Sequence, residues 1–400
     1  MKEGILDKSD NIHSLNNKKI LIIAKIYTII VSLMFIGLLA IITLLIFDNR
    51  NIMNFSAKSI NRLLKEENDY SFVCEYIIES EDKIIEIINS KFKNIITKLI
   101  IDGEQKEPCT SYNFKSKGIH RVYFTLNLEG VTSLSNMFLN NKNITSIAFS
   151  PSFNTENITD FGSFFSYCTK LESIDLSYLN FRNTEYLAHT FSFLQSLKTI
   201  DLSNIYAEKL IRMTSIFYGS KSLTFINLTN FNAPNLWDMI HSFRDCTSLT
   251  SIDFTNFRAP KLMTLQNAFY RDTSLKGINL SSIESDDFRG LLDTFYGYHS
   301  LEYIYLPKTT SEGEMGLTNT FTNCYSLKSI DLSNYKEYNS NVYTFQGCTN
   351  LSYIDISSFN SVPENLFKDL PKTGEIKLNK KAYNSIKDEI PEDWTIILIK

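Results

Sequence analysis

The chain has 400 residues, of which 43% are hydrophobic and 21% are charged, and its formal net charge is -4. This composition supplies ample material for a hydrophobic core, so it excludes a disordered chain and a minimal disulfide-dependent domain. Basic residues form no stripe or tail, which excludes an electrostatic footprint for nucleic acid.

A long apolar segment lies near the N-terminus. Residues 26–47 run for 22 positions without a charge, about 33 Å as a helix, which is enough to cross a hydrocarbon layer of roughly 30 Å. No small residues follow that would mark a cleavage site. The segment therefore predicts a transmembrane signal-anchor helix, with a cytoplasmic tail at residues 1–25. The lysines before the anchor slightly favour this orientation, so we expect the rest of the chain to be extracellular.

Residues 48–118 are interpreted as a juxtamembrane stalk and an N-terminal cap. The stretch from residue 48 to about residue 95 is expected to be largely helical. Residues 100–103 and 119–126 predict two strands around a polar loop. A cap is needed because the end of a repeat stack would otherwise expose apolar surface.

The phrase Leu-x-x-Ile-Asp-Leu-Ser recurs along most of the remaining chain, mainly at a period of 26 residues. Copies begin at Leu171, Leu197, Leu223, Leu249, Leu275, Leu301, Leu327 and Leu351. A Phe stands six residues before each of these leucines. With two fainter copies upstream, this self-similarity predicts a solenoid of about ten coils over residues 119–359.

Apolar residues at fixed offsets predict how each coil folds. The unit that starts at Leu223 contains Leu223, Ile226, Leu228, Phe231, Leu236, Met239 and Phe243. The alternation in Ile-Asp-Leu-Ser predicts a short strand with one buried face, and successive strands should pair in parallel. A Leu-x-x-x-Phe stretch such as residues 265–269 is expected to form a helical turn on the outer side. The predicted fold class is an α/β repeat solenoid, a right-handed horseshoe with a parallel β-sheet on its concave face, preceded by one transmembrane helix.

Residues 360–400 predict a C-terminal cap. Two apolar stretches, at residues 374–378 and 394–399, and a helical stretch at about residues 383–390 would close the core.

The combination Phe-x-x-Cys-x-x-Leu-x-x-Ile-Asp-Leu-Ser, present from Phe165 to Ser177, resembles BspA-type leucine-rich repeat surface proteins. It is also similar to the related 26-residue-repeat surface proteins of bacteria and parasitic protists. The resemblance covers about residues 119–360 and implies a leucine-rich-repeat horseshoe, surface display, adhesion to host proteins or matrix, and aggregation with other cells. Cysteine fills its repeat position in four units, and Leu194, Ser220, Asp272 and Tyr298 stand there in the others. A uniform cysteine ladder is therefore not expected.

The cysteines are interpreted as structural. Cys168, Cys246, Cys324 and Cys348 share one repeat position and should behave as small buried hydrophobes. A disulfide between the last two, on adjacent coils, stays open. Cys74 and Cys109 lie outside the repeats, and an oxidising exterior makes a disulfide between them plausible. No C-x-x-C motif or histidine cluster is present, so no metal site is predicted.

The exposed face of the strands is the predicted binding surface. The position after the strand Ile is acidic in Asp175, Asp201, Asp253, Asp331 and Asp355. A solvated ladder is favoured there, and Ca²⁺ held between neighbouring carboxylates is the alternative. The same face carries Tyr303, Tyr305 and Tyr353, and exposed aromatic residues on a rigid surface are typical interface anchors.

Glycosylation is a competing prediction for this face. Six N-x-S/T sequons occur, at Asn54, Asn143, Asn157, Asn227, Asn279 and Asn350. Glycans on Asn227 and Asn279 would obstruct the exposed strands, so modification and binding there exclude each other.

No catalytic fingerprint such as GxSxG, HExxH or a P-loop is present, so neither enzyme activity nor a cofactor is predicted. The hypothesis is a single-pass cell-membrane protein that mediates adhesion or protein–protein interaction through its exposed sheet. Its partner would be a host, neighbouring-cell or matrix protein, or a glycan. The alternative is a self-associating structural coat protein. Receptor signalling has little support, because 25 residues before the anchor hold no recognisable domain.

Overall fold

The structure is a computed structural model that describes residues 70–310, 314–337, 343–360, 362 and 366–399. The predicted tail and the predicted anchor at residues 26–47 lie outside the described residues, as does the stalk up to residue 69. Within the described ranges, no helix has the length and apolar character needed to cross a membrane.

A six-stranded sheet begins the described chain. Its strands, from one edge to the other, are β4 (Glu104–Lys106), β3 (Ile96–Ile101), β6 (Gly118–Leu126), β1 (Phe72–Ile78), β7 (Ile144–Phe149) and β8 (Ser173–Asp175). The central strand β1 is antiparallel to both of its neighbours, whereas β7 and β8 pair in parallel. Strand pairing therefore continues from the N-terminal cap into β8, the first Ile-Asp strand.

The structure of residues 70–95 differs from the predicted helix. Strands β2 (Lys83–Glu86) and β5 (Ser111–Phe114) pair in antiparallel fashion, and a 3₁₀ helix occupies Ser90–Ile95. Strands β1 and β2 and the 3₁₀ helix therefore take the place of the expected helix over residues 70–95. The reason lies in β1, which is buried along almost its whole length and is rich in β-branched and aromatic residues, as a central strand requires.

The repeats form the predicted parallel strands. The Ile-Asp strands are β8, β9 (Thr199–Asp201), β10 (Phe225–Asn227), β11 (Ser251–Asp253), β12 (Gly277–Asn279), β14 (Tyr303–Tyr305), β17 (Ser329–Asp331) and β19 (Tyr353–Asp355). Two-residue strands elsewhere on the coils are β13 (Glu284–Ser285), β15 (Lys308–Thr309), β16 (Glu314–Met315) and β18 (Lys336–Glu337). Equivalent residues pair across coils, so Ile226 lies opposite Ile200 and Ile252.

The predicted core is confirmed. All seven apolar residues of the unit that starts at Leu223 are 0% exposed. The repeat phenylalanines from Phe165 to Phe345 stack along the solenoid, with ring centroids 5.0 to 6.0 Å apart. Stacked pairs of this kind contribute about 0.5–1.5 kcal/mol each beyond the area they bury.

The predicted α/β class is wrong, because the described residues of the coils form no outer helix. Asn267 and Arg271 flank Phe269 with φ values of 53° and 60°, and left-handed residues occur at equivalent positions in the other coils. A right-handed helix cannot pass through such residues. Instead, the Phe269 N–H donates to the Thr294 carbonyl of the next coil at 3.1 Å. The repeats are a β-solenoid of parallel strands and tight turns.

The transmembrane part of the predicted fold class must be corrected as well. The helices found in the described ranges are the 3₁₀ helix and one short helix, α1 (Lys380–Ile386). Neither is long enough to span a membrane.

The C-terminal cap consists of β20 (Gly374–Asn379), α1 and β21 (Trp394–Ile399). Strands β17, β19, β20 and β21 form one parallel sheet, with β21 at its edge. Asn379 caps the helix, because its side-chain oxygen accepts the N–H groups of Lys381 and Ala382 at 2.9 Å. The predicted helix is therefore present but ends earlier, at Ile386.

Candidate partner-binding face

The strand face is the side of the Ile-Asp strands that points away from the core. It consists of the residues immediately before and after the central isoleucine of each strand. All eight predicted contact residues lie at these positions, in β8, β9, β11, β14, β17 and β19.

The strand aspartates have a structural role that sequence analysis missed. The side-chain oxygen of each accepts the backbone N–H two residues later, and the pairs are Asp175 with Ser177, Asp201 with Ser203, Asp253 with Thr255, Asp331 with Ser333 and Asp355 with Ser357, at 2.8 to 3.0 Å. Asn227 and Asn279 make the same bond. This Asx turn ends each strand, and the sequence signal for it is the Asp-x-Ser part of the repeat phrase.

The aspartates differ in how accessible they are. Asp201 and Asp331 are exposed, and Asp175 and Asp253 are half-buried. Asp355 is 3% exposed and pairs with Lys377 at 2.8 Å. Burial alone would raise the pKa of Asp355, but hydrogen bonds from Lys377 and from Ser357 outweigh it, and the pKa is lowered. The negative charge of Asp355 is thus already compensated by Lys377 within the chain.

No metal centre is formed by this row. In the described part of the chain, no three His, Cys, Asp or Glu side chains come together in a way that could hold a metal ion. One oxygen of each strand carboxylate is also occupied by its own turn. The alternative of bridging Ca²⁺ therefore gains no support from the geometry.

Tyr303 and Tyr305 form a platform on the strand face. They are 51% and 59% exposed, and their ring centroids are 6.2 Å apart. Gly277 lies opposite Tyr303 in the neighbouring strand, and a Cβ atom there would lie 2.0 Å from Tyr303 Cζ. The Tyr303 ring therefore lies across the bare glycine backbone, and only glycine leaves room for it.

Tyr353 stands apart from this pair. It pairs with Ser329 in β17, so one coil separates it from Tyr303. It is half-buried, and burial, followed by the negative charge of Asp355, raises its pKa. The structure therefore brings Tyr303 and Tyr305 together and leaves Tyr353 at the margin.

An ion pair borders the platform. Glu302 and Lys328, on adjacent coils, lie 2.5 Å apart, and the hydrogen bond from Lys328 lowers the pKa of Glu302. Asn279 and Asp331 occupy the neighbouring strands at the level of Tyr305. The two tyrosines are thus surrounded by polar groups, which is the arrangement of a binding patch with a polar rim.

A second aromatic row was missed by sequence analysis. It lies one or two residues after the repeat phenylalanines, where Tyr167 stacks on Phe193 with centroids 4.2 Å apart and Tyr270 stacks on Tyr296 at 5.0 Å. The Arg244 guanidinium lies 4.3 Å from the Tyr270 ring centroid. Because these groups stack on one another along the solenoid, they strengthen the contacts between coils.

The repeat cysteines are confirmed as buried. The thiols of Cys168, Cys246, Cys324 and Cys348 each donate to the carbonyl of the repeat Phe one coil earlier, at 3.0 to 3.1 Å. Burial raises the pKa of Cys348 to about 12, so this thiol is not ionised at neutral pH. Ser220 makes the same bond at 2.7 Å. In these five coils the position holds a small group that donates to the backbone, whereas Leu194 fills it with an apolar side chain.

Asp272 departs from this pattern. It occupies the cysteine position, is 0% exposed, and neither of its carboxylate oxygens has a hydrogen-bond partner among the described residues. The hydroxyl of Tyr298, at the equivalent position of the next coil, also has none. Burial raises the pKa of Asp272 well above its ordinary value.

The remaining predicted sites stay predictions. Cys74 is fully buried and Cys109 is half-buried, and both are free thiols in the structure. Among the sequons, Asn157, Asn279 and Asn350 are exposed, Asn143 and Asn227 are half-buried, and Asn54 lies outside the described residues.

Two family models match the chain. The family described as "Mycoplasma protein of unknown function, DUF285" matches residues 111–223 and 185–302. The "BspA type Leucine rich repeat region (6 copies)" matches residues 269–390. No curated protein matches the sequence.

Three solved structures are similar to the chain at low identity. A leucine-rich repeat protein from Bacteroides ovatus is 17% identical, with a TM-score of 0.29, and the match covers 72% of this chain and 90% of that one. A TLR13–ssRNA13 complex is 17% identical, with a TM-score of 0.27, and the match covers 62% of this chain and 40% of that one. An internalin (inlF) from Listeria monocytogenes is 12% identical, with a TM-score of 0.20, and the match covers 51% of this chain and 69% of that one.

The period of the sequence, the stacking of its coils and the match of the BspA-type repeat model to residues 269–390 agree with one another, and they support a BspA-like leucine-rich repeat in that part of the chain.

Proposed function

We propose that the chain is displayed at a cell surface and binds a partner protein there through the strand face, with Tyr303 and Tyr305 at the centre of the contact. This binding mediates adhesion to a host cell, a neighbouring cell or the matrix. Leucine-rich repeat folds of this family are typical of protein interaction and surface proteins, and they serve as binding scaffolds rather than as enzymes.

The observation that carries the proposal is the Tyr303 ring held across Gly277. A partner that covers an exposed tyrosine loses little if the ring is already fixed, because ordering a mobile side chain costs about 0.5–1.5 kcal/mol. Tyrosine is also among the residues that dominate binding energy at the centre of interfaces. A glycan on Asn279, in the strand that contains Gly277, would cover this platform, so binding requires that side chain to be unmodified.

The test is adhesion of cells that display the full-length chain to host cells and to surfaces coated with matrix proteins. Replacing both residues, Tyr303→Ala and Tyr305→Ala, should lower adhesion at least tenfold, as expected for loss of interface anchors. Tyr325→Ala is the matched control, because Tyr325 is 41% exposed but lies outside the strands. Adhesion that is unchanged in the double variant would contradict the proposal.

A softer variant tests the platform itself. Gly277→Ala removes no contact group but places a methyl group where the Tyr303 ring lies, so the ring must move. Adhesion should fall while surface display stays at the level of the unchanged chain. Equal adhesion of this variant would show that the ring position has no part in binding.

One observation favours self-association as a second candidate function. Strand β21 forms the edge of its sheet and exposes Ile396, Ile397 and Leu398 by 39%, 37% and 52%. An unpaired apolar edge is a template for pairing with another chain. Light scattering of the full-length chain should then show concentration-dependent assembly without added ligand. Ile397→Lys and Leu398→Lys together should abolish it, and assembly that persists in this variant would exclude the edge.

A further inference from the structure

The row of Ile-Asp strands is interrupted between β8 and β9. Strand β8 is the last strand of the N-terminal sheet, and β9 is the edge of a separate three-stranded sheet with β10 and β11. A cleft of about 760 Å³ opens there, lined by residues 174–182 of one coil and by Asp201 and residues 203–206 of the next. Most Cα–Cα distances between the two strands exceed 8 Å, whereas paired strands lie about 4.8 Å apart.

One turn position differs at the interruption. Asn204, Asn230 and Asn256 follow β9, β10 and β11 with φ values of 58°, 58° and 55°. Their side-chain amides form a ladder, in which Asn256 donates to the amide oxygen of Asn230 and Asn230 donates to that of Asn204, both at 2.9 Å. Tyr178 occupies this position after β8, and its φ is not positive. The ladder cannot extend to this coil, because a tyrosine has no amide to offer.

The cleft leaves backbone groups of its two walls without their usual partners. In the following coils, Leu202 N–H donates to the Asn227 carbonyl and Asn204 N–H to the Thr229 carbonyl, both at 2.9 Å. The corresponding donors at the cleft are the N–H groups of Leu176 and Tyr178. Within the described ranges they make no such bond to Asp201 and Ser203, whose carbonyls would be the acceptors.

The cleft also opens the core. The central isoleucine of β9, β10, β12, β14, β17 and β19 is at most 7% exposed, whereas Ile174 of β8 is only half-buried. Leu179 and Ile205, further along the cleft, are half-buried as well. Tyr178 and Tyr206 line the same cleft and are 46% and 48% exposed. The site thus combines an apolar floor, unpaired backbone walls and aromatic side chains.

We infer that this cleft receives an extended segment of a partner polypeptide, which adds a strand between β8 and β9. Main-chain hydrogen bonds to the walls would supply affinity, as in other cases of strand addition. Side chains that point inward would be apolar, since they meet Ile174. Side chains that point outward would be basic, because they would lie between the carboxylates of Asp175 and Asp201, which are one coil apart.

One end of the cleft is closed by side chains. The Arg182 guanidinium bonds the Glu208 carboxylate of the next coil at 2.9 Å and lies 5.8 Å from the Tyr206 ring centroid. The inserted segment would therefore run along the strands and end at this ion pair. The site rests on the proposed function only in requiring a protein partner, and it is separate from the platform of Tyr303 and Tyr305.

The test uses the full-length chain and a fluorescently labelled probe peptide, acetyl-Thr-Lys-Ile-Lys-Leu-Thr-amide, which repeats the strand pattern with basic outward residues. Fluorescence anisotropy should show saturable binding. The same peptide N-methylated at alternate amides should bind at least tenfold more weakly, because it cannot form both rows of main-chain bonds. Asp175→Asn with Asp201→Asn should also weaken binding, yet asparagine keeps the Asx turn, as Asn227 shows.

The decisive variant is Tyr178→Asn, which supplies the missing ladder residue and should close the cleft. It should lower peptide binding at least tenfold while hydrogen exchange at Leu176 and at position 178 slows. Equal binding to this variant, equal binding of the N-methylated peptide, or no saturable binding up to millimolar peptide would each overturn the inference. Binding of an oligosaccharide such as cellohexaose in place of the peptide would overturn it too.

Two variants separate this site from the proposed function. The double variant Tyr303→Ala and Tyr305→Ala should bind the peptide normally, because its substitutions lie four coils beyond β9, the nearer wall of the cleft. Tyr178→Asn should retain whatever adhesion the tyrosine platform provides. Loss of adhesion with intact peptide binding would therefore be assigned to the tyrosine platform. Loss of peptide binding with intact adhesion would be assigned to the cleft.

Discussion

Residues 174–177 and 200–203 have the same sequence, Ile-Asp-Leu-Ser, yet the strands they form behave differently. Strand β9 pairs with the strand that follows it, whereas β8 does not pair with β9. The strand residues therefore do not decide whether neighbouring coils join. The first difference after the phrase is at its next residue, Tyr178 in one coil and Asn204 in the next.

The other end of the three-stranded sheet supports this comparison. Strand β11 does not pair with β12, and Ser282 stands where an Asn of the ladder would lie. Ile252 of β11 is half-buried, as Ile174 of β8 is. The asparagine ladder thus coincides with pairing in the sheet of β9, β10 and β11, but it is not required everywhere, since β12 and β14 pair with Ser282 and Lys308 at that position. A β-solenoid can therefore open at one edge while its phenylalanine stack stays closed.

The largest effect on stability should come from the phenylalanine stack, which continues across coils whose strands pair and across coils whose strands do not. Phe243→Ala removes a fully buried ring that stacks on Phe217 and Phe269. Loss of the buried ring and the cavity left behind should lower the free energy of unfolding by about 3–5 kcal/mol. Urea denaturation of the full-length chain measures this change. A loss below 1 kcal/mol would mean that the stack does not hold the coils together.

The next effect on stability concerns Asp272, which lies in the chain after β11 and before β12, two strands that do not pair. The pKa of Asp272 is raised in the folded state. The free energy of unfolding is therefore highest at low pH, where the carboxyl is protonated in both states, and it falls as the pH rises from the ordinary carboxyl pKa toward the folded pKa. Asp272→Cys restores the repeat residue and should stabilise the chain above the ordinary carboxyl pKa. The gain should grow by about 1.4 kcal/mol for each pH unit.

Unfolding midpoints in urea at pH 3 and pH 7 provide the measurement for this variant. The two chains should unfold alike at pH 3 and differ at pH 7. Cys246→Ser is the control, since the group it replaces is already a satisfied neutral donor. A pH-independent gain in Asp272→Cys would indicate better packing rather than removal of a buried charge.

A smaller effect should separate the two contributions of the asparagine ladder. Asn230→Ala removes the amide and places alanine at a φ of 58°, and it should cost about 1–2 kcal/mol. Asn230→Gly removes the amide but fits the left-handed turn, so it should cost about half as much. Thermal unfolding of both variants gives the difference. Equal costs would assign the whole effect to the amide hydrogen bonds.

The smallest stability effect should come from Tyr178→Asn. Two new inter-coil hydrogen bonds, each worth about 0.5–1.5 kcal/mol, would be offset by the lost packing of the tyrosine ring, so a net gain of about 1 kcal/mol is expected. Thermal unfolding detects it as a small rise in Tm. Ser282→Asn is the parallel variant at the interruption between β11 and β12, and a gain at neither position would refute the role of the turn residue.

The parts of the fold that depend on burial could be predicted from the sequence. Leu223, Ile226 and Phe243 recur at fixed offsets because each coil must fill the same interior, and periodic apolar residues show this directly. The exposed faces of Tyr303 and Tyr305 follow from the same alternation. The family resemblance, which rests on the phrase from Phe165 to Ser177, is confirmed.

The turns could not be predicted in this way. Phe269 follows Leu265 by four positions, which also suits one helical turn, but Asn267 adopts a positive φ. Its conformation depends on a bond from its N–H to the Leu292 carbonyl of the next coil at 2.9 Å. Such a contact is not visible in the local sequence. The position of Tyr303 over Gly277 was missed for a similar reason, since the two residues belong to different repeats.

The Asx turn at the end of each strand bears on how the repeat can vary in length. The coil from Leu327 to Leu351 has 24 residues rather than 26, yet Ile330 and Ile354 remain directly opposite each other. Because Asp331 stops its strand through a bond to a residue only two positions away, alignment is restored in every coil regardless of the length of the path that returns to it. Insertions and deletions on the return path should therefore leave the strand register intact, which allows an array of this kind to diversify without refolding.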